Sequence, residues 1–255
     1  LVLGSVQFEQ GQDKQAEASL VRYVDLASKA PNENTTRGIT QAQTRRAAIL
    51  ARQGKLNEAR QLIARLPANN AEEERNRVMA EVQLLRDHRQ WQAAYDLLGK
   101  ISAGDLDMMY EQAMLAEKLN RLDDMERLLR TVISKEPTYY NAYNALGFSL
   151  ADRNLRLTEA KQLIVKALSF APEDPFITDS LGWVEFRLGN FTAALASLEK
   201  AFSARADAEI AAHLGEVLWR MNRTDEAIKI WRQGMETAPN NETLQETLQR
   251  LKPAL

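Results

Sequence analysis

The sequence predicts an all-α fold, a solenoid of about seven stacked helical hairpins sealed by a C-terminal helix. Three observations predict it. The 255 residues include 36 Ala and 34 Leu against 11 Gly and 7 Pro, so the strongest helix formers dominate and helix breakers are scarce. The dipeptide Leu-Gly recurs at Leu146-Gly147, Leu181-Gly182 and Leu214-Gly215, with separations of 35 and 33 residues. Small residues follow each Gly in register: Ala160, Ala194 and Ala227 come twelve or thirteen residues later, and Ala167, Ala201 and Gly234 seven beyond those. Repetition at such a period marks stacked supersecondary units that cannot bury their apolar faces singly.

The same grid extends upstream. The Ala column continues through Ala16, Ala59, Ala94 and, with a larger residue, Met125, giving steps of 43, 35, 31, 35, 34 and 33 residues along the chain. Residues 1–66 read as two degenerate units, 67–137 as two better ones and 138–239 as three well-formed ones, all in one continuous array. Asn240-Asn241-Glu242 followed by Leu244, Leu248 and Leu251 reads as a capping helix over 240–255. The one long step falls on Pro31 to Gly38, whose Pro, Asn, Thr and Gly content predicts a loop. A second irregular stretch, Pro67 to Glu74, separates units two and three, with Glu72, Glu73 and Glu74 suited to the positive end of a helix.

Unit six shows the physics of one hairpin. Asp174 before Pro175 supplies an N-cap and a proline at the first helical position. Leu181, Gly182 and Leu188 share a side of the first helix, and Gly189-Asn190 breaks the chain. Ala194, Leu198 and Ala201 form an i, i+4, i+7 stripe on the second helix. The small residues let the helix axes approach closely, and Leu181 and Leu198 fill the remaining volume. Tyr143, Leu198 and Trp231 fall on packing positions and are expected in the core.

This grid resembles the tetratricopeptide repeat, a helix–turn–helix unit of about 34 residues. The resemblance implies a right-handed superhelix whose first helices line a concave surface. Two positions depart from the family pattern: Glu185 stands where an apolar or aromatic residue is usual, and Met125 replaces the signature Ala. The last three units, from LGFSLADRNLRLTEAKQLIVKAL through PEDPFITDSLGWVEFRLGNFTAAL to EIAAHLGEVLWRMN, are similar to the C-terminal repeats of bacterial repeat lipoproteins. That similarity implies a lipid anchor upstream, an outer-membrane, periplasm-facing location and a C-terminal processing serine protease or peptidoglycan enzyme as partner. The alternative location is the cytoplasm, and the alternative role is a structural subunit of an envelope export or secretion assembly.

Composition narrows the function classes. Lys and Arg number 33 against 35 Asp and Glu, a balance unlike the basic excess of a dedicated nucleic-acid binder. No run reaches the roughly 18 apolar residues of a membrane span. The absence of Cys rules out disulfides, thiol nucleophiles and Cys-ligated metals within this sequence. His88 and His213 sit in separate units without metal spacing, and each is expected as a satisfied surface or groove residue. No nucleophile elbow or phosphate-binding glycine loop occurs, so neither an intrinsic active site nor a cofactor is expected. The irregular N-terminal units invite self-association.

Binding is the remaining chemistry. The family's ligand-facing positions, carried onto this sequence, give Tyr110, Met114 and Lys118 in unit four and Asn141, Asn144, Phe148 and Asp152 in unit five. Unit six contributes Asp179, Trp183, Phe186 and Arg187, and unit seven Glu216, Trp219 and Arg220. Large rings beside Asn, Arg and carboxylates are the usual anchors of a protein interface. Asn144 alone does not make the Lys and Asn set with which some family members clamp a C-terminal carboxylate.

Overall fold

A computed structural model describes residues 1–30, 32–101 and 104–253. These residues form fifteen α-helices and no strand. They pair in chain order into seven hairpins: α1 (Val2–Glu9) with α2 (Asp13–Ala27), α3 (Glu33–Arg52) with α4 (Leu56–Ala64), α5 (Ala71–Asp87) with α6 (Trp91–Ile101), α7 (Leu106–Lys118) with α8 (Leu122–Lys135), α9 (Tyr140–Asp152) with α10 (Leu157–Phe170), α11 (Pro175–Arg187) with α12 (Phe191–Ala204), and α13 (Ala208–Arg220) with α14 (Thr224–Thr237). The expected capping helix is α15 (Glu242–Leu251). The chain divides into two compact units, Leu1–Met125 and Glu126–Leu255, with the division inside α8.

The sequence grid maps directly onto the hairpins. Ala16, Ala59, Ala94, Met125, Ala160, Ala194 and Ala227 lie on the seven second helices, and all are buried. Met125 fills the Ala position without leaving the core. Each hairpin also turns through a left-handed residue after its first helix: Gly11, Gly54, Arg89, Asn120, Asn154, Gly189 and Asn222. Gly adopts that conformation without strain, and Asn is the commonest substitute.

Close approach within hairpins depends on the missing Cβ of the repeated Gly. At Gly215 an added Cβ would lie 2.1 Å from Nε1 of Trp231 on α14, and at Gly182 it would lie 2.5 Å from Cγ of Leu198 on α12. Leu198 and Trp231 are fully buried, as expected, whereas Tyr143 is half-buried with its ring centroid 6.4 Å from that of Phe170. The core is distributed. In the first unit, separate apolar clusters form around Ala16 and Leu20, around Ala59 and Ile63, and around Val82 and Leu98. In the second, Leu198, Leu214, Trp231 and Leu244 knit α12 to α15 together. Stacked units of this kind bury their faces against neighbours instead of around one centre.

One expected loop is corrected. Residues 33–38 are the first turns of α3, and Pro31 lies outside the described residues. Asn32 accepts from the Thr35 amide at 3.0 Å while its own amide donates to the Thr35 hydroxyl at 2.7 Å, a reciprocal cap that starts the helix early. Gly38 then allows Tyr23 to lie where a Cβ would be, with its hydroxyl 2.0 Å from that position. The extra length of this repeat therefore extends α3 to 20 residues. Asn70 caps α5 by accepting from the Glu73 amide at 2.9 Å, and Glu72, Glu73 and Glu74 lie in its first turn as expected, so residues 65–70 link the two hairpins. The Asp174 cap behaves as predicted, accepting from the amides of Phe176 and Ile177 at 2.8 and 3.1 Å.

Candidate interaction surface

In the second unit the first helices pack on one another, α9 on α11 and α11 on α13, while α10 and α12 pack on the first helices that follow them. The first helices thus make the tighter side, and equivalent positions line up along it. Phe148, Trp183 and Glu216 each follow the repeat Gly by one residue, Phe186 and Trp219 by four, and Arg187 and Arg220 by five.

At the centre of this side the protein packs on itself. The Trp183 ring stacks on His213, with centroids 4.4 Å apart and planes 25° from parallel. Phe148 of α9 reaches across to 5.7 Å from the same imidazole, and Phe186 lies 5.1 Å from Trp183. Nδ1 of His213 is 2.8 and 3.0 Å from the two carboxylate oxygens of Asp179. The Trp183 indole donates to Asp152 at 3.2 Å, and Arg187 closes the end of α9 by donating to the carbonyls of Ala151 and Asp152. Burial disfavours a charge on His213, but the Asp179 carboxylate, helped by Glu209 and Asp152, outweighs it and holds the imidazole above its ordinary value.

Several sequence expectations change here. Asp179, Trp183 and Glu216, expected to face a ligand, are 4%, 4% and 2% exposed. The reason is the approach of three successive first helices, which lets a ring from α9 touch a side chain from α13 over α11. His213, expected on a surface or groove, is buried with its Nδ1 against the Asp179 carboxylate. Glu216 is gripped by Arg250 of α15, whose Nη1 and Nη2 donate to its two oxygens at 2.7 and 2.5 Å. Glu185 is also buried and accounts for its own departure from the family pattern. Lys161 Nζ lies 2.6 Å from its carboxylate and the Asn190 amide donates at 2.8 Å. Burial pushes this carboxyl up, but Lys161 and Asn190 more than offset it and hold it below its ordinary value.

The other candidates remain at or near the surface. Phe148, Phe186, Arg187 and Trp219 are half-buried, and Asn141, Asp152 and Arg220 are exposed. Trp219 leans on Trp231 with centroids 5.7 Å apart. Asn144 is half-buried, and its Oδ1 is enclosed without a hydrogen-bond partner among the described residues. In the first unit, Tyr110 and Met114 of α7 are half-buried and Lys118 is exposed. Burial, with Glu111 and Glu117 nearby, pushes the Tyr110 hydroxyl up to about 12. His88 sits at the end of α5 with Nδ1 3.0 Å from the Leu84 carbonyl.

Sequence reasoning missed the clefts between successive second helices. One of about 310 Å³ lies among α12, α13 and α14 over Phe202, Leu218 and Ile230; one of about 280 Å³ lies among α10, α11 and α12 over Leu168 and Leu181. Their register in consecutive repeats was the available signal. In the first unit a polar cavity of about 460 Å³ opens between the N-terminal halves of α3 and α5, lined by Thr36, Arg37, Asn70 and Asn76 among others. Among the described residues no helix is long and apolar enough to cross a membrane.

A family model described as tetratricopeptide repeat matches residues 185–251. That segment carries tetratricopeptide repeats. A TPR repeat-containing protein of Pseudomonas aeruginosa is 40% identical over 179 residues, covering 69% of this chain and 30% of that relative. The chain therefore spans under a third of the length of the curated relative it matches. A tetratricopeptide repeat protein from Parabacteroides merdae has the same fold, with a TM-score of 0.68 and 16% identity over 96% of this chain and 94% of that one. A thermophilic TPR protein of Thermus thermophilus matches with a TM-score of 0.52 and 20% identity over 84% and 99% of the two chains. The seven hairpins are thus those of an α-solenoid, and Glu185 falls at the start of the segment that the family model matches.

Proposed function

We propose that the chain is a non-enzymatic scaffold that holds a protein partner on the first-helix side of its repeats. One observation carries this reading: the pair aromatic-Arg recurs 33 residues apart, as Phe186-Arg187 on α11 and Trp219-Arg220 on α13. Phe186 and Trp219 remain half-exposed beside the closed Trp183–His213 stack, and Arg220 is exposed. Rings and guanidinium groups on a rigid support bind with little loss of side-chain freedom, which is why they dominate interface energetics.

The setting we propose is the periplasm of a bacterium, with the scaffold tethered to the outer membrane and bringing a C-terminal processing protease or a cell-wall enzyme to its substrate. Residues 146–222 support this setting through their likeness to the repeats of envelope lipoproteins. Affinity capture from an envelope extract tests it, with the wild-type chain and Arg220→Glu as paired baits. A serine protease or peptidoglycan enzyme retained by the wild type and lost from the variant supports the reading. Equal retention on both baits, or recovery of an export complex instead, overturns it.

A further inference from the structure

The buried Asp179–His213 pair is more than the packing of a repeat requires. Its two residues stand 34 apart, on the first helices of successive hairpins, and both are at most 4% exposed. Each element around the imidazole presents a defined group. From α9 come the Phe148 ring and the Asp152 carboxylate; from α11 come Asp179 and the stacked Trp183; Glu209 stands one turn before His213 on α13 itself. Of the cations on and beside these elements, Arg187 and Arg250 are engaged elsewhere, and Arg220, at the C-terminal end of α13, is exposed. Arg187 lies over the Trp183 ring at 5.2 Å and donates to the end of α9, and Arg250 holds Glu216. Helix α14 meets α13 through Trp231 and Gly234, and α12 meets it through Ala194 and Leu198, all uncharged. The imidazole thus faces three carboxylates from within a closed, ring-lined site.

We propose that Asp179 and His213 form a protonation-sensitive latch. With the imidazole charged, the pair clamps α11 to α13 and seats Trp183 and Phe148 against it. With the proton lost, the attraction across that contact falls, and the tight side of the second unit loosens. The sign follows from linkage. A His held above its ordinary value stabilises the folded unit fully below its unfolded-state value, and that stabilisation is lost as pH rises through the folded value. The latch requires no bound partner.

The chain has two His, so ring-proton resonances in the full chain resolve both, with His88 as internal comparison. His213 is expected to titrate above the ordinary value of about 6.5. The Trp183 indole N–H resonance, whose proton goes to Asp152, is expected to shift over the same pH range. The thermal midpoint of the wild type should fall across that range, and His213→Gln should lose this dependence. Asp179→Asn should lower the His213 midpoint; should that variant not fold, the wild-type titration decides alone. A His213 midpoint at or below about 6.5, a Trp183 resonance indifferent to it, or an unchanged pH dependence in His213→Gln each overturns the latch.

Discussion

Arg250 of the terminal helix grips the Glu216 carboxylate with two hydrogen bonds of 2.7 and 2.5 Å across 34 residues of chain. The Glu216 side chain is 3% exposed and that of Arg250 50% exposed, so the acid is inside and its counter-charge bridges to solvent. The helix that covers the last hairpin is therefore pinned electrostatically as well as through Leu244.

Removing the guanidinium leaves a buried carboxylate unpaired. Arg250→Ala should destabilise the second unit by about 2–3 kcal/mol, below the usual range for a buried pair because half of Arg250 already meets water. Adding Glu216→Gln should recover part of that loss. Urea unfolding of the single and double variants checks both.

Gly215 tests the close approach of α13 and α14. Gly215→Ala should cost about 1–3 kcal/mol, because overpacking against the buried Trp231 ring outweighs the gain in helix propensity. Combining it with Trp231→Leu should shrink that penalty, a coupling that a double-mutant cycle measures directly.

The hairpin turns make a backbone prediction. Asn222 has φ +62°, so Asn222→Ala should lose about 1 kcal/mol, whereas Asn222→Gly should be neutral or slightly stabilising. Equal effects of the two substitutions in thermal denaturation would assign the cost to the lost side chain.

Acid should release Glu185. Its carboxyl is held below its ordinary value, so its contribution is present at neutral pH and is lost as pH falls through the folded value. In Glu185→Gln the acid-side fall in stability should be shallower than in the wild type. Parallel pH profiles of the two proteins would contradict this.

The architecture was legible because it is repeated. Ala160, Ala194 and Ala227 mark one geometric position three times, and the seven hairpins follow from that column. The capping at Asn32 was not legible, because Asn and Thr signal both loops and helix starts and only the Thr35 hydroxyl geometry separates them. The surface was half legible. Equivalent repeat positions do face one side, but whether a ring there is free depends on the spacing of three helices. Phe148 touching His213 across α11 is a long-range fact without a local signature. The Asp179–His213 spacing of 34 residues was present in the sequence; its meaning required knowing that both side chains turn inward.

Photocrosslinking tests most directly which side of the repeats carries the partner. A benzophenone side chain introduced at Arg220, exposed on first helix α13, should give a partner adduct in envelope extract. The same group at Val165, 48% exposed on second helix α10, should give none. An adduct from Val165 with none from Arg220 would contradict the scaffold surface proposed and move binding to the second helices.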